Sequence, residues 1–299
     1  MAGESSGRIK AYIELMRPVQ WYKNVLLFLG VLFSHKLGDF DLLFLAVLGF
    51  ISFCAIASSV YITNDIVDRN RDKAHPRKAM RPIPSGRVGV GSAAFLGAIL
   101  AATGISIALY LGWEFFIVAL MYVGISSSYS MILKNIAIVD AIGLAAGFVV
   151  RAIAGAVVVS VAVSPWLVIC VFLLALFLAF SKRRHELALL GEDAKNHRDI
   201  LKDYSVHMTD DMVTVSASTL IIAYSMWTFL ATSQLMMLTI PFAIYGLLRY
   251  MFLTHMSKGG GEPEEVFKDL PSVANMLCWG FAIFFVLYLA PRLQLIGGG

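Results

Sequence analysis

The chain has 299 residues, of which 59% are apolar and only 15% carry a charged side chain. This balance is too apolar for an ordinary water-soluble domain and excludes the soluble classes of enzyme and binding protein. The formal net charge of +4 does not indicate nucleic-acid binding, because there is no basic soluble domain to bind it. The composition therefore predicts an integral membrane protein.

Apolar runs close to the roughly 20 residues that a helix needs to cross a bilayer recur along the whole chain. The gaps between them are short, so we expect residues 1–299 to form a single polytopic membrane domain, an all-α bundle. Nine spans are predicted, near residues 24–36 (a short one), 42–66, 91–111, 113–132, 138–160, 164–181, 212–232, 235–255 and 272–291.

Lysine and arginine are distributed unevenly among the predicted connections. With nine spans, nearly all of them fall on one side of the membrane, and the other side holds little beyond Lys36 and Arg292. Cytoplasmic loops carry the excess of these cations. We therefore expect a multi-pass cell-membrane protein whose N-terminus is cytoplasmic, with cytoplasmic active-site loops over residues 67–90 and 182–210.

The N-terminal segment predicts a helix in the membrane interface over residues 1–17. Its apolar residues have helical spacing: Ile9, Tyr12, Ile13 and Met16. The aromatic rings of Trp21 and Tyr22, which follow, suit ordinary anchoring at the headgroups. Lys23 and Asn24 enter the membrane on the same side as the acidic motif described next, so they are candidate substrate-binding residues.

An acidic motif stands at the end of the second span. If the helix continues through it, Asn64, Asp68 and Asp72 recur at i, i+4 and i+8 and project from one face, with Asp65 beside them. Like charges at this spacing destabilise a bare helix, so the row favours a hard cation with oxygen ligands, for which Mg²⁺ is the natural candidate. The alternative is a juxtamembrane loop of solvated charges.

A basic, proline-rich loop follows the acidic motif. Lys73, Arg77, Lys78 and Arg81 stand where they could receive a phosphate, which Mg²⁺ commonly shares with one or two carboxylates. The prolines prevent one continuous helix, and we expect the loop to cover a polar cavity that opens to the cytoplasm. Lys78 and Arg81 are therefore candidate substrate-binding residues.

Later spans also carry polar residues. The fourth ends in a run of serines with Tyr129 and Lys134, although small hydroxyl residues there also suit helix packing. The fifth begins at Asp140 and carries Arg151 near its middle. An intramembrane arginine indicates a functional site by default; the alternative is a structural ion pair with Asp140 or another buried acid. Tyr129, Lys134 and Arg151 are candidate substrate-binding residues.

The connection after the sixth span begins with three consecutive cations, starting at Lys182. Cations there suit the helix dipole and the inner leaflet, or they form a phosphate clamp that faces the first motif. Lys182, Arg183 and Glu186 are the candidates for this second role. Asp199 and Asp203 have i, i+4 spacing later in the same connection.

These features together resemble the UbiA superfamily of intramembrane prenyltransferases, with its polar loops after the second and sixth of nine helices. The spacing NDxxDxxxD, from Asn64 to Asp72, matches the first motif of the superfamily fully. Further segments resemble its decaprenyl-phosphate phosphoribosyltransferase branch: Arg17-Pro-x-Gln-Trp-x-Lys-Asn24, HPxKxxRPIPSG ending at Gly86, Tyr129-Ser130 with Leu133-Lys134, and Lys182-Arg183 with Glu186-Leu187.

The resemblance implies an enzyme that transfers 5-phosphoribose from phosphoribosyl diphosphate (PRPP) to a decaprenyl-type polyprenyl phosphate and releases diphosphate. It implies Mg²⁺ held by Asn64, Asp68 and Asp72, with Asp65, Asp68 and Asp72 as the catalytic residues. The partners would be PRPP, the lipid and the membrane, with no nucleic acid. A homo-oligomer is compatible with the sequence, which fixes neither the oligomeric state nor the polyprenyl length. The product would feed arabinose-type sugar donors for cell-envelope glycans.

Two other functions remain open at this stage. The aromatic prenyltransferases of the superfamily are expected to have a second aspartate motif directly after the sixth helix, where this chain has Lys182, Arg183 and Glu186. Asp199 and Asp203 offer that spacing later, which keeps a prenyl diphosphate donor and an aromatic acceptor open. A carrier of a phosphorylated solute is a third hypothesis, but transporters commonly show internal repeats and a midplane site, and this chain shows neither.

Overall fold

The structure is a computed structural model of the chain, and it describes residues 2–74, 78–190, 199–230, 233–256, 263–291 and 293. Within these ranges the chain is almost entirely helical and contains no β-strand. Eight of the described helices are long and apolar enough to cross a membrane: Phe40–Val67, Val90–Tyr110, Trp113–Asn135, Val139–Val158, Pro165–Leu189, Val206–Leu230, Gln234–Met256 and Leu270–Leu289. The prediction of an all-α, multi-pass membrane protein is confirmed.

The helices follow one another with short connections. The α-helices in the described ranges are α1 (Ala2–Met16), α2 (Leu29–Phe33), α3 (Phe40–Val67), α4 (Arg69–Lys73), α5 (Val90–Tyr110), α6 (Trp113–Met131), α7 (Val139–Val158), α8 (Pro165–Leu190), α9 (Val206–Leu230), α10 (Ile240–Met256) and α11 (Leu270–Phe284). Shorter 3₁₀-helices lie at Pro18–Phe28, Lys78–Met80, Leu133–Asn135, Asp199–Asp203, Gln234–Thr239 and Pro263–Lys268, and a π-helix follows α11 at Phe285–Leu289.

The described residues give eight candidate spans where the sequence predicted nine. The difference is the short span predicted near residues 24–36, which falls on the 3₁₀-helix Pro18–Phe28 and the five-residue helix α2. Pro18 stands at the start of this segment, directly after Arg17 in the left-handed conformation (φ 54°, ψ 57°). The segment is therefore helical, but it is not one long α-helix.

The polar loops are shorter than the sequence suggested. Helix α8 continues through residues 182–190, and α9 begins at Val206, so much of the loop predicted over 182–210 is helical. In the first loop, α4 and the 3₁₀-helix Lys78–Met80 flank residues 75–77. Arg77, one of the predicted phosphate-binding cations, lies outside the described residues, as do residues 191–198.

The chain groups into two compact units. The first comprises Met1–Met131 and Val150–Val163. Its core is aromatic: the ring centroid of Phe53 lies 5.7 Å from that of Phe115 and 5.3 Å from that of Tyr122. A Cβ atom on Gly155 of α7 would overlap the carbonyl oxygen of Leu27, so only glycine permits the close approach of these backbones.

The second unit comprises Ile132–Val149 and Ser164–Gly299. Its main core is formed by apolar side chains of α8, α9 and α10, with the rings of Phe177 and Tyr250 5.4 Å apart. A smaller cluster joins the end of α8 to the 3₁₀-helix that precedes α9: Leu187, Ile200, Leu201 and Tyr204. This cluster holds the 3₁₀-helix Asp199–Asp203 against the end of α8.

Candidate active site

The acidic motif crosses a helix boundary without losing its register. Helix α3 ends at Val67 and α4 begins at Arg69, with Asp68 between them at φ −81° and ψ 2°. The backbone N–H of Asp68 donates to the carbonyl oxygen of Asn64 (2.9 Å), and that of Asp72 donates to the carbonyl oxygen of Asp68 (2.8 Å). The i, i+4 spacing that the sequence predicted is therefore maintained by backbone hydrogen bonds.

The two carboxylates that converge are Asp65 and Asp72. Their side chains are only 4% and 3% exposed, and the Nη1 atom of Arg81 lies 3.1 Å from Oδ1 of Asp65 and 2.7 Å from Oδ2 of Asp72. The sequence placed the metal on Asn64, Asp68 and Asp72 with Asp65 in support. In the structure, Asp65 and Asp72 share the cation of Arg81.

Two more cations surround this pair. Nη2 of Arg17 lies 2.5 Å from Oδ1 of Asp65, and Nζ of Lys78 lies 4.0 Å from Oδ1 of Asp72. The side chains of Arg17, Arg81 and Lys78 are 29%, 33% and 46% exposed. Burial lowers the pKa of Lys78 from its ordinary value, and the nearby Asp72 opposes that shift. The acids are thus enclosed, and the cations that cover them reach solvent.

Arg17 is a site residue that the sequence analysis did not select. Its guanidinium pairs with Asp65 and also stacks over the ring of Tyr61, 5.1 Å from the centroid. Its left-handed backbone conformation redirects the chain between α1 and the next helix, and no sequence pattern predicts that conformation for an arginine. Two signals were available: its position directly before Pro18 at the end of an amphipathic helix, and its place at the start of the segment Arg17-Pro-x-Gln-Trp-x-Lys-Asn24.

The loop that carries Arg81 is folded against α1. The N–H of Val88 donates to the carbonyl oxygen of Pro82 (2.9 Å), and Gly86 adopts a φ of 79° that suits glycine in such a turn. Four apolar residues, two from α1 and two from the loop, bury themselves together: Ala11, Leu15, Ile83 and Val88. This packing holds Arg81 at the carboxylates.

Asn64 and Asp68 lie beside the pair. The amide nitrogen of Asn64 donates to the hydroxyl of Ser130 (2.8 Å), which leaves the carbonyl oxygen of Asn64 as its atom for a cation. Asp68 is half-buried, as is Tyr129 next to Ser130. Among the described residues, no group of three or more His, Cys, Asp or Glu side chains is gathered around one point.

Arg151 is buried in the core of the first unit. Its Nε donates to Oδ1 of Asn24 (2.7 Å), its Nη2 donates to the hydroxyl of Tyr122 (2.8 Å), and its guanidinium stacks on the Tyr122 ring. Asn24 in turn donates to the sulfur of Cys54. Asp140, the acid named in the alternative, pairs with Arg183. Arg151 and Asn24 are 5% and 1% exposed, so both are enclosed in the first unit.

Lys23 is half-buried and lies over the ring of Tyr22, with Nζ 5.8 Å from the centroid. It stands next to the buried Asn24 in the 3₁₀-helix Pro18–Phe28. Of these two adjacent candidates, Lys23 is therefore the one that a substrate could reach.

In the second unit, Arg183 is enclosed by two acids. Its Nε lies 2.9 Å from Oδ2 of Asp140 and its Nη1 lies 2.8 Å from Oε2 of Glu186. The side chains of Arg183 and Asp140 are 2% and 0% exposed, whereas that of Glu186 is 26% exposed. Arg183 therefore does not face outward as a phosphate clamp would. Lys182 and Lys134 are half-buried and remain the accessible cations predicted for this region.

Tyr204 completes this network, and the sequence analysis did not select it. Its hydroxyl donates to Oδ1 of Asp140 (2.9 Å) and accepts from the backbone N–H of Ile138 (2.6 Å), a residue with a φ of 67°. Burial, with the adjacent Asp140 carboxylate, raises the pKa of Tyr204 to about 12. The hydroxyl therefore stays protonated and serves to fix Asp140.

The later aspartate pair has a different setting. Positions 199 and 203 are the ends of the 3₁₀-helix Asp199–Asp203, and a helix of three residues per turn does not return to one face after four residues. Asp203 is exposed, while Ile200 and Leu201 between the two positions are each 2% exposed. A second aspartate motif at these two positions stays a prediction.

Comparisons with known proteins agree with the residue patterns. The model of the UbiA prenyltransferase family matches residues 24–267. The decaprenyl-phosphate phosphoribosyltransferase of Mycolicibacterium smegmatis is 32% identical over 307 aligned positions, which cover 95% of this chain and 96% of that protein. The protein of the same name from Corynebacterium glutamicum is 28% identical, over 96% of this chain and 88% of its own.

Among solved structures, a UbiA homolog from Archaeoglobus fulgidus bound to GPP and Mg²⁺ is similar in fold, with a TM-score of 0.70 and 20% identity. The similarity covers 93% of this chain and 99% of that one. The resemblance that the motifs indicated is thereby confirmed. Because the family model matches most of the chain and the mycobacterial relative aligns over nearly all of it, this protein is an enzyme that belongs to the UbiA prenyltransferase family.

Proposed function

We propose that this enzyme transfers 5-phosphoribose from PRPP to a polyprenyl phosphate in the membrane and releases diphosphate. The observation that carries the proposal is the pair of buried carboxylates, Asp65 and Asp72, covered by the partly exposed cations Arg17, Arg81 and Lys78. Such a site suits a metal ion together with a polyphosphate. The names of the relatives from M. smegmatis and C. glutamicum support phosphoribose as the transferred group.

The residues fit Mg²⁺. Asp65 and Asp72 already hold one cationic atom between them, within 3.1 Å of each. Oxygen ligands from one or two carboxylates, with water and substrate phosphate, are what Mg²⁺ usually takes. We therefore assign it to Asp65 and Asp72, with Asp68 and the carbonyl oxygen of Asn64 in support; when bound, it would neutralise charge on the leaving diphosphate. The Mg²⁺ named for the A. fulgidus structure supports this choice.

Cations among the candidate residues would hold the phosphates. Arg81 and Lys78 lie at the carboxylates and reach solvent, so they would bind the diphosphate. Lys182 and Lys134 are half-buried cations, and we propose that they bind a phosphate group of the substrates. Arg183 would act indirectly, because it is enclosed and holds Glu186 in place. Lys23 and Tyr129 are half-buried and are proposed to contact substrate.

The reaction requires no strong general base. An oxygen of the lipid phosphate, already anionic at neutral pH, forms the new bond to the anomeric carbon, while the bond from that carbon to the diphosphate oxygen breaks. The cations stabilise the negative charge that develops on the leaving group. Direct displacement predicts inversion at the anomeric carbon. We also propose a cell-membrane location with the N-terminus and both polar loops in the cytoplasm, on the basis of the lysine and arginine distribution.

The test is transfer of label from PRPP into lipid. The purified protein is incubated with labelled PRPP, Mg²⁺ and a polyprenyl phosphate, and the lipid is extracted into organic solvent. We expect label in the lipid that is lost with EDTA, and loss of product in Asp68→Asn. A matched control is Asp41→Asn, the same change at an exposed aspartate at the other end of α3. Product from a prenyl diphosphate and an aromatic acid, but none from PRPP, would contradict the proposal.

A further inference from the structure

One carboxylate oxygen in the acidic site receives two guanidinium groups. Oδ1 of Asp65 accepts from Nη2 of Arg17 and from Nη1 of Arg81. The side chain of Asp65 is 4% exposed, while Arg17 remains 29% exposed. A metal ion that binds through this Oδ1 atom therefore has to replace one of the arginines, and Arg17 can move outward towards solvent.

Arg17 is suited to this exchange. Its partner Arg81 also bonds to Asp72, so Arg81 keeps a carboxylate if its contact with Asp65 is lost. Arg17 has an ion pair with Asp65 and a ring contact with Tyr61. A displaced guanidinium needs an anion, because a cation near a bound metal ion would be repelled. A phosphate group bound beside the metal supplies this negative charge, and a guanidinium can bind two of its oxygens at once.

We propose that Arg17 is a diphosphate-binding residue that rests on Asp65 while the site holds no metal, and that it moves to the diphosphate when metal and donor bind. This inference rests on the proposed function and adds a binding residue to it. Its consequence is coupling: metal alone must displace Arg17 with no anion to receive it, whereas metal with diphosphate exchanges one ion pair for another. The coupling is reciprocal, so each ligand raises the affinity for the other.

The exchange makes the effects of Arg17→Gln on the two ligands opposite in sign. Removing the guanidinium leaves Asp65 with Arg81 in place of two arginines, so binding of a divalent ion alone should become about 5-fold tighter. Removing it also deletes a phosphate contact, so binding of diphosphate at saturating Mg²⁺ should become about 10-fold weaker. A purely structural role for Arg17 would weaken both.

Equilibrium dialysis of the full-length protein in detergent measures both affinities, first with labelled Mn²⁺ alone and then with labelled inorganic diphosphate in excess Mg²⁺. Arg87→Gln is the matched control, because Arg87 pairs with the exposed Glu14 instead; we expect neither affinity to change. If Arg17→Gln does not fold, Arg17→Lys keeps the charge on Asp65 but not the bidentate geometry, and should weaken only diphosphate binding.

The outcomes separate this inference from the function. If Arg17→Gln, or the lysine variant in its place, binds Mg²⁺-diphosphate as tightly as the wild type, the role of Arg17 is overturned, and lipid labelling by the wild type leaves the transfer intact. Weaker binding of Mn²⁺ alone in Arg17→Gln also overturns it. A wild-type protein that binds neither Mn²⁺ nor Mg²⁺-diphosphate and labels no lipid would overturn the proposed function itself.

Discussion

The two polar clusters of this enzyme pair acids with cations in opposite ways. In the first unit the acids Asp65 and Asp72 are enclosed, and Arg81 above them is 33% exposed. In the second unit the cation Arg183 is enclosed at 2% exposed, and the acid Glu186 beside it is 26% exposed. The partly exposed cations of the first cluster can exchange partners, so this cluster is suited to receive phosphate. The enclosed Arg183 of the second cluster instead holds Asp140 and Glu186 in place.

The largest expected effect follows from breaking the second cluster. Arg183→Met leaves Asp140, with 0% of its side chain exposed, without its cation, and removal of one partner from a buried ion pair costs about 3–5 kcal/mol. We expect a large fall in the thermal unfolding temperature of the detergent-solubilised protein. Arg184→Met is the control: Arg184 pairs with the 37% exposed Asp210, and its loss should cost no more than about 2 kcal/mol. If the unfolding temperature fell equally in the two variants, the buried pair of Arg183 would be no more important for stability than the exposed pair of Arg184.

The next effect sharpens the role of the first cluster. Arg81→Gln removes the cation shared by Asp65 and Asp72, which should cost about 1–3 kcal/mol because both carboxylates stay buried. A divalent ion bound only by the folded state would return part of that stability. We therefore expect excess Mg²⁺ to raise the unfolding temperature of Arg81→Gln more than that of the wild type or of Arg87→Gln. A gain no larger than the wild-type gain would argue against metal at these two carboxylates.

The membrane helices could be predicted because each depends on a local property, a run of apolar residues long enough to cross a bilayer. The exception is instructive. The run near residues 24–36 follows Arg17 and Pro18, where a left-handed residue and a 3₁₀-helix replace a regular α-helix. Apolar content alone does not reveal that change of geometry.

The site could be predicted only in part. The spacing of the acidic motif is local, and its register is maintained. Which acids meet, and which cations hold them, depends on tertiary contacts: Arg17 is 48 positions from Asp65 in the sequence. The burial of Arg183 was equally hidden, because three consecutive cations at the end of a span are typical of a solvated helix end.

Lys78 gives the first cluster a pH dependence that the enclosed Arg183 cannot give. Burial lowers the pKa of Lys78, so its charge is lost at a lower pH than that of an ordinary lysine. If its cation binds a phosphate, donor affinity is greatest below that pKa and falls as the pH rises through it. The control is Arg87→Lys, which places a lysine at an exposed position. It should leave the pH dependence of donor affinity as it is in the wild type.

Lys78→Arg keeps the charge at all accessible pH values. The affinity for Mg²⁺-diphosphate is measured by dialysis from pH 7 upward. We expect the wild-type affinity to fall at alkaline pH and the affinity of Lys78→Arg not to fall. The same fall in Lys78→Arg would mean that another group titrates.

The smallest effect belongs to the exposed ion pair between α1 and the loop that carries Arg81. Oε2 of Glu14 lies 2.7 Å from Nη1 of Arg87, and the two side chains are 45% and 42% exposed. Exposed ion pairs contribute about 0.2–1 kcal/mol to the free energy of unfolding. The hydrogen bond from Arg87 lowers the pKa of Glu14, so the pair stabilises the protein above the ordinary glutamate pKa and loses that effect as the pH falls through the lowered value.

Because Ala11 and Leu15 bury themselves against Ile83 and Val88, apolar packing rather than this ion pair should keep the loop in place. We therefore expect Glu14→Gln to change the affinity for Mg²⁺-diphosphate by no more than about 2-fold, and to remove the small acid-dependent loss of stability in thermal unfolding scans at decreasing pH. Leu15→Ala, which opens a cavity beneath the loop, should weaken both stability and diphosphate binding. A larger loss of binding in Glu14→Gln than in Leu15→Ala would mean that charge, and not packing, positions Arg81 over the carboxylates.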